Sequence, residues 1–166
     1  MTHVDRTSKE YEADRLAELK RLRILDTEAE DGFDDITRRA ARLLEVPIAL
    51  ISLIDERRQW FKSRVGLEAQ QTPREYAFCS HAIMQTGPMI VENALLDERF
   101  CSNPLVTDDP QIRFYAGAPL VTLNGFPLGT LCVIDRKPRQ LSRLQLDELQ
   151  FLSREAIYML ELRVPR

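Results

Sequence analysis

A chain of 166 residues can bury a sizeable core as one domain, and its 44% hydrophobic and 30% charged residues describe an ordinary globular protein. A formal net charge of -3 gives no reason to expect nucleic acid or an anionic membrane as partner. The polar start, MTHVDRTSKEYEADR, has no apolar secretion segment, and the longest apolar run, Pro47 to Ile54, is too short for a bilayer. Three cysteines without a framework spacing read as free thiols in a reducing cytoplasm.

Glu10 to about Arg23 predicts a helix with Leu16, Leu19 and Leu22 on one side. So narrow a stripe suits a seam against another helix better than deep burial. Asp26-Thr27 breaks the pattern. Thr27 with Glu30 reads as a capping box for a second helix to about Leu44, whose Phe33, Ile36, Ala40 and Leu43/Leu44 face the core. Pro47 to Asp55 is a buried strand, Asp55 to Arg58 a turn, and Gln59 to Val65 a second strand with the lone tryptophan, Trp60. Gly66 to Pro73 is a polar loop. Phe78 to Gln85 reads as a short helix ended by Gly87-Pro88, and Met89 to Val91 as a short strand. Asn93 to Gln111 has no sustained periodicity, and such long excursions are usually lids or binding loops.

Phe114 to Asp135 holds two β-favouring runs around Asn124-Gly125, a strong hairpin signal. A three-residue loop, Leu123-Asn124-Gly125 with Gly125 left-handed, opposes Thr122 to Phe126. It leaves Pro119 and Pro127 at sites where no ladder donor is missed, whereas a two-residue loop would pair Pro119 with Thr130. In the three-residue register one face carries Phe114, Ala116, Ala118, Leu120, Phe126, Leu128, Thr130, Cys132 and Ile134. The other carries Tyr115, Gly117, Val121, Leu131, Val133 and Asp135. Both faces are mostly apolar, which puts the hairpin near the sheet centre, and Gly117 and Gly129 require something close to the backbone. After a turn at Lys137-Pro138-Arg139, Ser142 and Gln145 form a capping box for a long helix to about Leu162. Its apolar stripe is Leu149, Leu152, Ala156 and Met159/Leu160.

The segments LDTEAEDGFDDITRRAARLLEVPIALISLIDERRQWFKSRVGL, PREYAFCSHAI, DERFCSNPLV and IRFYAGAPLV followed by GTLCVIDRKPRQL cover nearly the whole chain, about Leu25 to Leu162. In them the chain resembles a GAF domain of the subgroup found with bacterial sensor histidine kinases and diguanylate cyclases. The resemblance implies an α+β fold: a central antiparallel sheet, terminal helices on one face, and a ligand pocket under loops and a short helix on the other. It divides the chain into an N-terminal helical extension, 1–24, and the GAF domain, 25–163. It implies a small-molecule sensor that relays occupancy through its terminal helices to a histidine kinase or diguanylate cyclase output protein. Pairing of the first and last helices of two copies is expected to give a homodimer, the alternative being a monomer whose first helix folds back on its own sheet. Composition alone gives only an α+β domain.

The expected ligand-binding residues are Trp60, Phe78, Cys79, His81, Phe100, Asn103, Arg113 and Tyr115. Each has a plainer reading. The aromatics can be simple core, and Arg113 can tie the lid to the sheet through Glu75 or Asp97 instead of pinning a ligand anion. Cys79-Ser80-His81 supplies two metal ligands at most, so no metal is expected. Cys79 falls near a cysteine of the free methionine sulfoxide reductases, which keeps a thiol reductase as the enzyme alternative; the additional upstream cysteine of that family is missing near Ala69–Gln70. Ser102 after Cys101, where bilin-binding members have histidine, argues against a photoreceptor, and no cyclic-nucleotide signature of the family is present. A third reading is a ligand-free dimerisation module whose cavity is filled by its own side chains.

Overall fold

The computed structural model describes residues 4–164. Helices α1 (Lys9–Arg21) and α2 (Asp31–Leu44) precede a hairpin of β1 (Ile48–Ile54) and β2 (Arg58–Val65). Then come β3 (Gln71–Pro73), α3 (Phe78–Ala82), β4 (Met89–Val91) and α4 (Pro104–Thr107), followed by the second hairpin, β5 (Phe114–Val121) and β6 (Pro127–Asp135), and α5 (Arg143–Leu162). The six strands pair antiparallel in the order β3-β2-β1-β6-β5-β4. Every residue of β1 and β6 is buried, because these central strands are covered on both faces.

Two cores follow from strand alternation. Ala49, Ile51 and Leu53 of β1 meet Phe33, Ile36 and Ala40 of α2 and Leu149, Leu152 and Ala156 of α5. Ile48, Leu50 and Ile54 face the other way, toward Phe78, Phe100, Tyr115 and Ile134. The expected capping box of α5 is formed: the Ser142 hydroxyl accepts from Gln145 N, and the Gln145 side chain accepts from Ser142 N. The Thr27–Glu30 box is not. Thr27 Oγ1 donates to Ile24 O and accepts from Lys62 Nζ, while Glu30 pairs with Lys62 and Arg163. The Lys62 side chain is fully buried, and a buried ammonium takes whatever oxygens lie in reach.

The leucines of α1 are spent inside the chain. Leu19 and Leu22 are fully buried in the helix-side core, and Leu16 is half-buried. The buried Arg15 donates to the Ile54 carbonyl at 2.9 Å, and Glu18 accepts from Asn124 Nδ2 in the hairpin turn at 3.0 Å. The narrow stripe is therefore a seam against the chain's own sheet rather than against a helix of another copy.

The β5–β6 turn is the expected one: Thr122 N donates to Phe126 O, and Gly125 is left-handed at φ 90°. The faces beyond it are not. A bulge shifts the register, so that Leu120 opposes Gly129 although Val121 opposes Pro127. Leu128, Leu131 and Val133 then join the helix-side core, whereas Cys132 and Ile134 lie on the opposite face with Tyr115. Pro119 consequently pairs with Thr130 despite the three-residue loop. Gly117 is also explained, since a Cβ there would meet the ring and hydroxyl of Tyr115.

Candidate functional site

The sheet face opposite α2 and α5 floors a cavity of about 510 Å³. Leu50 of β1, Phe61 of β2, Cys132 and Ile134 of β6 and Tyr115 of β5 supply the floor, and Phe78 of α3 closes one side. Two segments make the roof. One is Gly66–Ala69, after β2. Gly66 has φ +77°, and a Cβ there would run into the Pro47 carbonyl, so only glycine lets the chain fold over the floor at this point. The other is the stretch from Leu105 to Ile112. Ile112 N donates to Leu105 O at 2.9 Å, and Arg113 Nη1 donates to Val106 O and Ile112 O at 2.9 and 3.1 Å, which hold this segment as one body.

The lining is mainly apolar, with Gln59 and Thr72 hydrogen-bonded to each other at 2.8 Å on the β2–β3 side. Glu68, Asp109 and Arg136 stand exposed at the mouth. Behind the floor lies a buried polar cluster. Cys79 Sγ is 3.1 Å from the Tyr115 hydroxyl and 3.0 Å from Thr130 Oγ1, and those two oxygens are 3.3 Å apart. Burial pushes the Cys79 thiol up, but the Cys132, Ser52, Thr130 and Tyr115 side chains around it outweigh that and bring it below its ordinary value. Burial and the neighbouring Cys79 push Cys132 well up, and Tyr115 likewise.

Of the eight expected residues, Phe78 and Tyr115 line this cavity. Phe100 stacks on Phe78 at 4.0 Å between centroids, one layer out, and His81 meets Phe100 edge-on at 4.9 Å from an exposed position. Partial burial and the charge of Arg99 push the His81 pKa down. Asn103 is a brace: its Oδ1 caps α4 through Leu105 N, and its Nδ2 donates to Tyr76 O at 3.0 Å. Arg113 is the lid tie of the plainer reading, but through carbonyls, since Asp97 pairs with Arg99 instead. Cys79 sits behind the floor. Trp60 is on the wrong face: it pairs with Leu53, and alternation along β2 sends it into the helix-side core and Phe61 into the cavity. Sequence reasoning missed Leu67, Glu68, Asp109 and Arg136. The left-handed Gly66 and the length of the Asn93–Gln111 excursion were the available signals, but neither says which surface a loop will cover.

Among the described residues, no group of three or more His, Cys, Asp or Glu could hold a metal ion, and no helix is long and apolar enough to cross a membrane. A volume of about 510 Å³ lies within the range of small-molecule sites, about 300–1,000 Å³, so the chain's own side chains do not fill the cavity.

A model of the GAF domain matches residues 28–160. The chain is 48% identical over 130 residues to a Pseudomonas aeruginosa protein named cyclic di-GMP phosphodiesterase PA2567; the match covers 78% of this chain and 22% of that one. The chain thus spans about a fifth of that relative's length. Its fold is similar to the GAF domain of an Acinetobacter phosphoenolpyruvate-protein phosphotransferase, with a TM-score of 0.67 at 19% identity, covering 94% of this chain and 95% of the other. It is also similar to a domain of a two-component sensor histidine kinase protein from Sinorhizobium meliloti, with a TM-score of 0.60 at 18% identity, covering 78% and 88%.

Proposed function

This chain belongs to the GAF domain family, and on that premise we propose that it is a cytoplasmic small-molecule-sensing unit whose ligand sits between the sheet and the two roof segments. The observation that carries the reading is the open cavity, floored by rigid strands and roofed by loops that a ligand can hold down. Phe78, Tyr115, Phe61 and Ile134 give the ligand an apolar bed, and Gln59 with Thr72 offers it hydrogen bonds. Native mass spectrometry of the purified chain, with a thermal-shift screen of metabolites, tests this. The expected result is a bound small molecule or a ligand that raises the melting temperature. Loss of that molecule is expected on Leu67→Trp, which fills the mouth. No ligand by either method, in a folded protein, would count against sensing.

The relay we propose runs through α5. Leu144, Phe151, Tyr158 and Leu162 are 61–68% exposed on it, and the first three recur every seven residues, the spacing of a helix–helix seam. Two copies packed along this stripe would form a two-fold dimer and carry the signal to an output protein. The 48% identical relative is named cyclic di-GMP phosphodiesterase, and that name supports adding a cyclic di-GMP enzyme to histidine kinases and diguanylate cyclases as proposed outputs. In this proposal the chain itself senses and does not turn over substrate. A methionine sulfoxide would have to reach Cys79, which is buried beneath Tyr115 and Thr130, whereas the exposed thiol is Cys101.

A further inference from the structure

At its inner end the cavity meets a chain of side-chain hydrogen bonds that crosses three strands. Ser52 of β1 shares the face of Leu50 by alternation, Gln59 of β2 shares that of Phe61, and Thr72 of β3 opposes Gln59. The Ser52 hydroxyl donates to Gln59 Oε1 at 2.6 Å, and Gln59 Nε2 donates to Thr72 Oγ1 at 2.8 Å. Ser52 and Gln59 are 0% and 5% exposed on paired strands, so the amide cannot swing out to water. With its oxygen held by Ser52, Gln59 keeps one amide N–H, and Thr72 keeps its hydroxyl hydrogen. Neither has an acceptor among the described residues. Both residues line the cavity. A buried amide N–H without an acceptor is uncommon in a folded protein.

We propose that this inner end recognises an uncharged carbonyl oxygen, and that the ligand is an elongated apolar amide, ester or ketone rather than an anion. The inference rests on the sensing reading and names the chemistry of its ligand. Donor atoms 2.8 Å apart can share one carbonyl oxygen, which has two lone pairs. No cation stands there to meet a carboxylate or phosphate. Arg136, the one cation among the described lining residues, belongs to the other end, where its Nε donates to Pro110 O at 3.1 Å. Arg58 and Arg74, the cations nearest to Gln59 and Thr72 in the chain, are paired with Asp26 and Asp55 and with Glu12. An anion at the inner end would lose its water with no opposite charge in return, whereas an uncharged oxygen loses far less. The sheet register gives the length of the ligand body. Ser52 opposes Thr130 and Ile48 opposes Ile134, so the apolar floor between them runs four residues of β1, about 13 Å. A medium-length acyl chain lying along β1 and β6 spans that floor and brings its far end to the mouth.

The test titrates the isotope-labelled full chain with octanamide, octanoate and octylamine, probes of one length, and reads affinity together with the Gln59 side-chain amide signal by NMR. Octanamide is expected to bind saturably and to shift that signal. Octanoate is expected to leave it unmoved, even where its carboxylate finds Arg136 at the mouth. Thr72→Val, which removes one donor at a half-buried site, is expected to weaken octanamide several-fold. Gln59→Glu reverses the inner end, so that octanamide binding is lost and octylamine binding appears. If Gln59→Glu does not fold, Thr72→Val and the probe series still decide. Octanoate that shifts the Gln59 signal as strongly as octanamide overturns the proposal and leaves sensing intact. So does octanamide binding that Thr72→Val does not weaken. If none of the probes binds, this ligand class is wrong, and the metabolite screen, which presumes no class, decides the sensing reading separately.

Discussion

Gly129 stands where β6 comes nearest to β1, and a Cβ there would press on the Ser52 carbonyl and the Leu53 backbone. Neither neighbour can swing away, since both belong to a fully buried central strand. Gly129→Ala should therefore cost about 3 kcal/mol in urea unfolding, the upper end of ordinary overpacking. Gly125→Ala meets open space and suffers only the strain of φ 90°, about 1–2 kcal/mol. Equal losses at the two sites would refute this account of the sheet. Glu12 predicts a pH effect. Burial alone would raise its carboxyl, but hydrogen bonds from Arg15 and Arg74 dominate and lower it from 4.5 to about 2. The folded value lies below the unfolded one, so its stabilisation is complete above pH 4.5 and is lost as pH falls toward 2. Glu12→Gln should lower stability at neutral pH and flatten that acid limb; an unchanged limb would show that Glu12 is not held as described.

The element that most changes between sequence and structure is α1. Its leucine stripe was visible, but the residue that decides its seat is Arg15, which four bonds tie down: two to Glu12 at 2.9 and 3.0 Å, one to Ile54 O at 2.9 Å and a longer one to Pro127 O at 3.4 Å. Arg15→Ala removes its bonds to the Ile54 and Pro127 carbonyls and leaves Glu12 to Arg74 alone, and we expect a loss of about 3 kcal/mol. Amide hydrogen exchange should then rise in α1 before the sheet. Local signals were legible: the Ser142–Gln145 cap, the Asn124-Gly125 turn and both hairpins depend on neighbours within a few residues. Non-local ones were not. The bulge beyond the turn depends on how Gly129 meets β1, and Lys62 seizes Thr27 across 35 residues. Of the residues expected at the cavity, Phe78 and Tyr115 line it. Phe100, Asn103 and Arg113 brace its outer wall and roof, while the roof positions that touch it, Leu67, Glu68 and Asp109, come from loops whose folding-over leaves no periodicity to read.

For the whole molecule, the α5 stripe is the surface on which the dimer stands or falls. Phe151→Glu with Tyr158→Glu should leave a folded monomer in sedimentation, because both side chains are more than 60% exposed and support neither core. Leu19→Glu would instead unfold the chain, since Leu19 is fully buried. A wild-type protein that sediments as a monomer at micromolar concentration would end the relay proposal. The extra residue near Leu128 acts on the same scale. Deleting it would be a reading-frame error written in three dimensions: every later side chain of β6 would swap sides. Leu131 and Val133 would fall into the cavity, and the Cys132 thiol would move beneath the helices. Descendants of this chain can therefore vary the roof residue by residue, but they can lengthen or shorten β6 there only in steps of two.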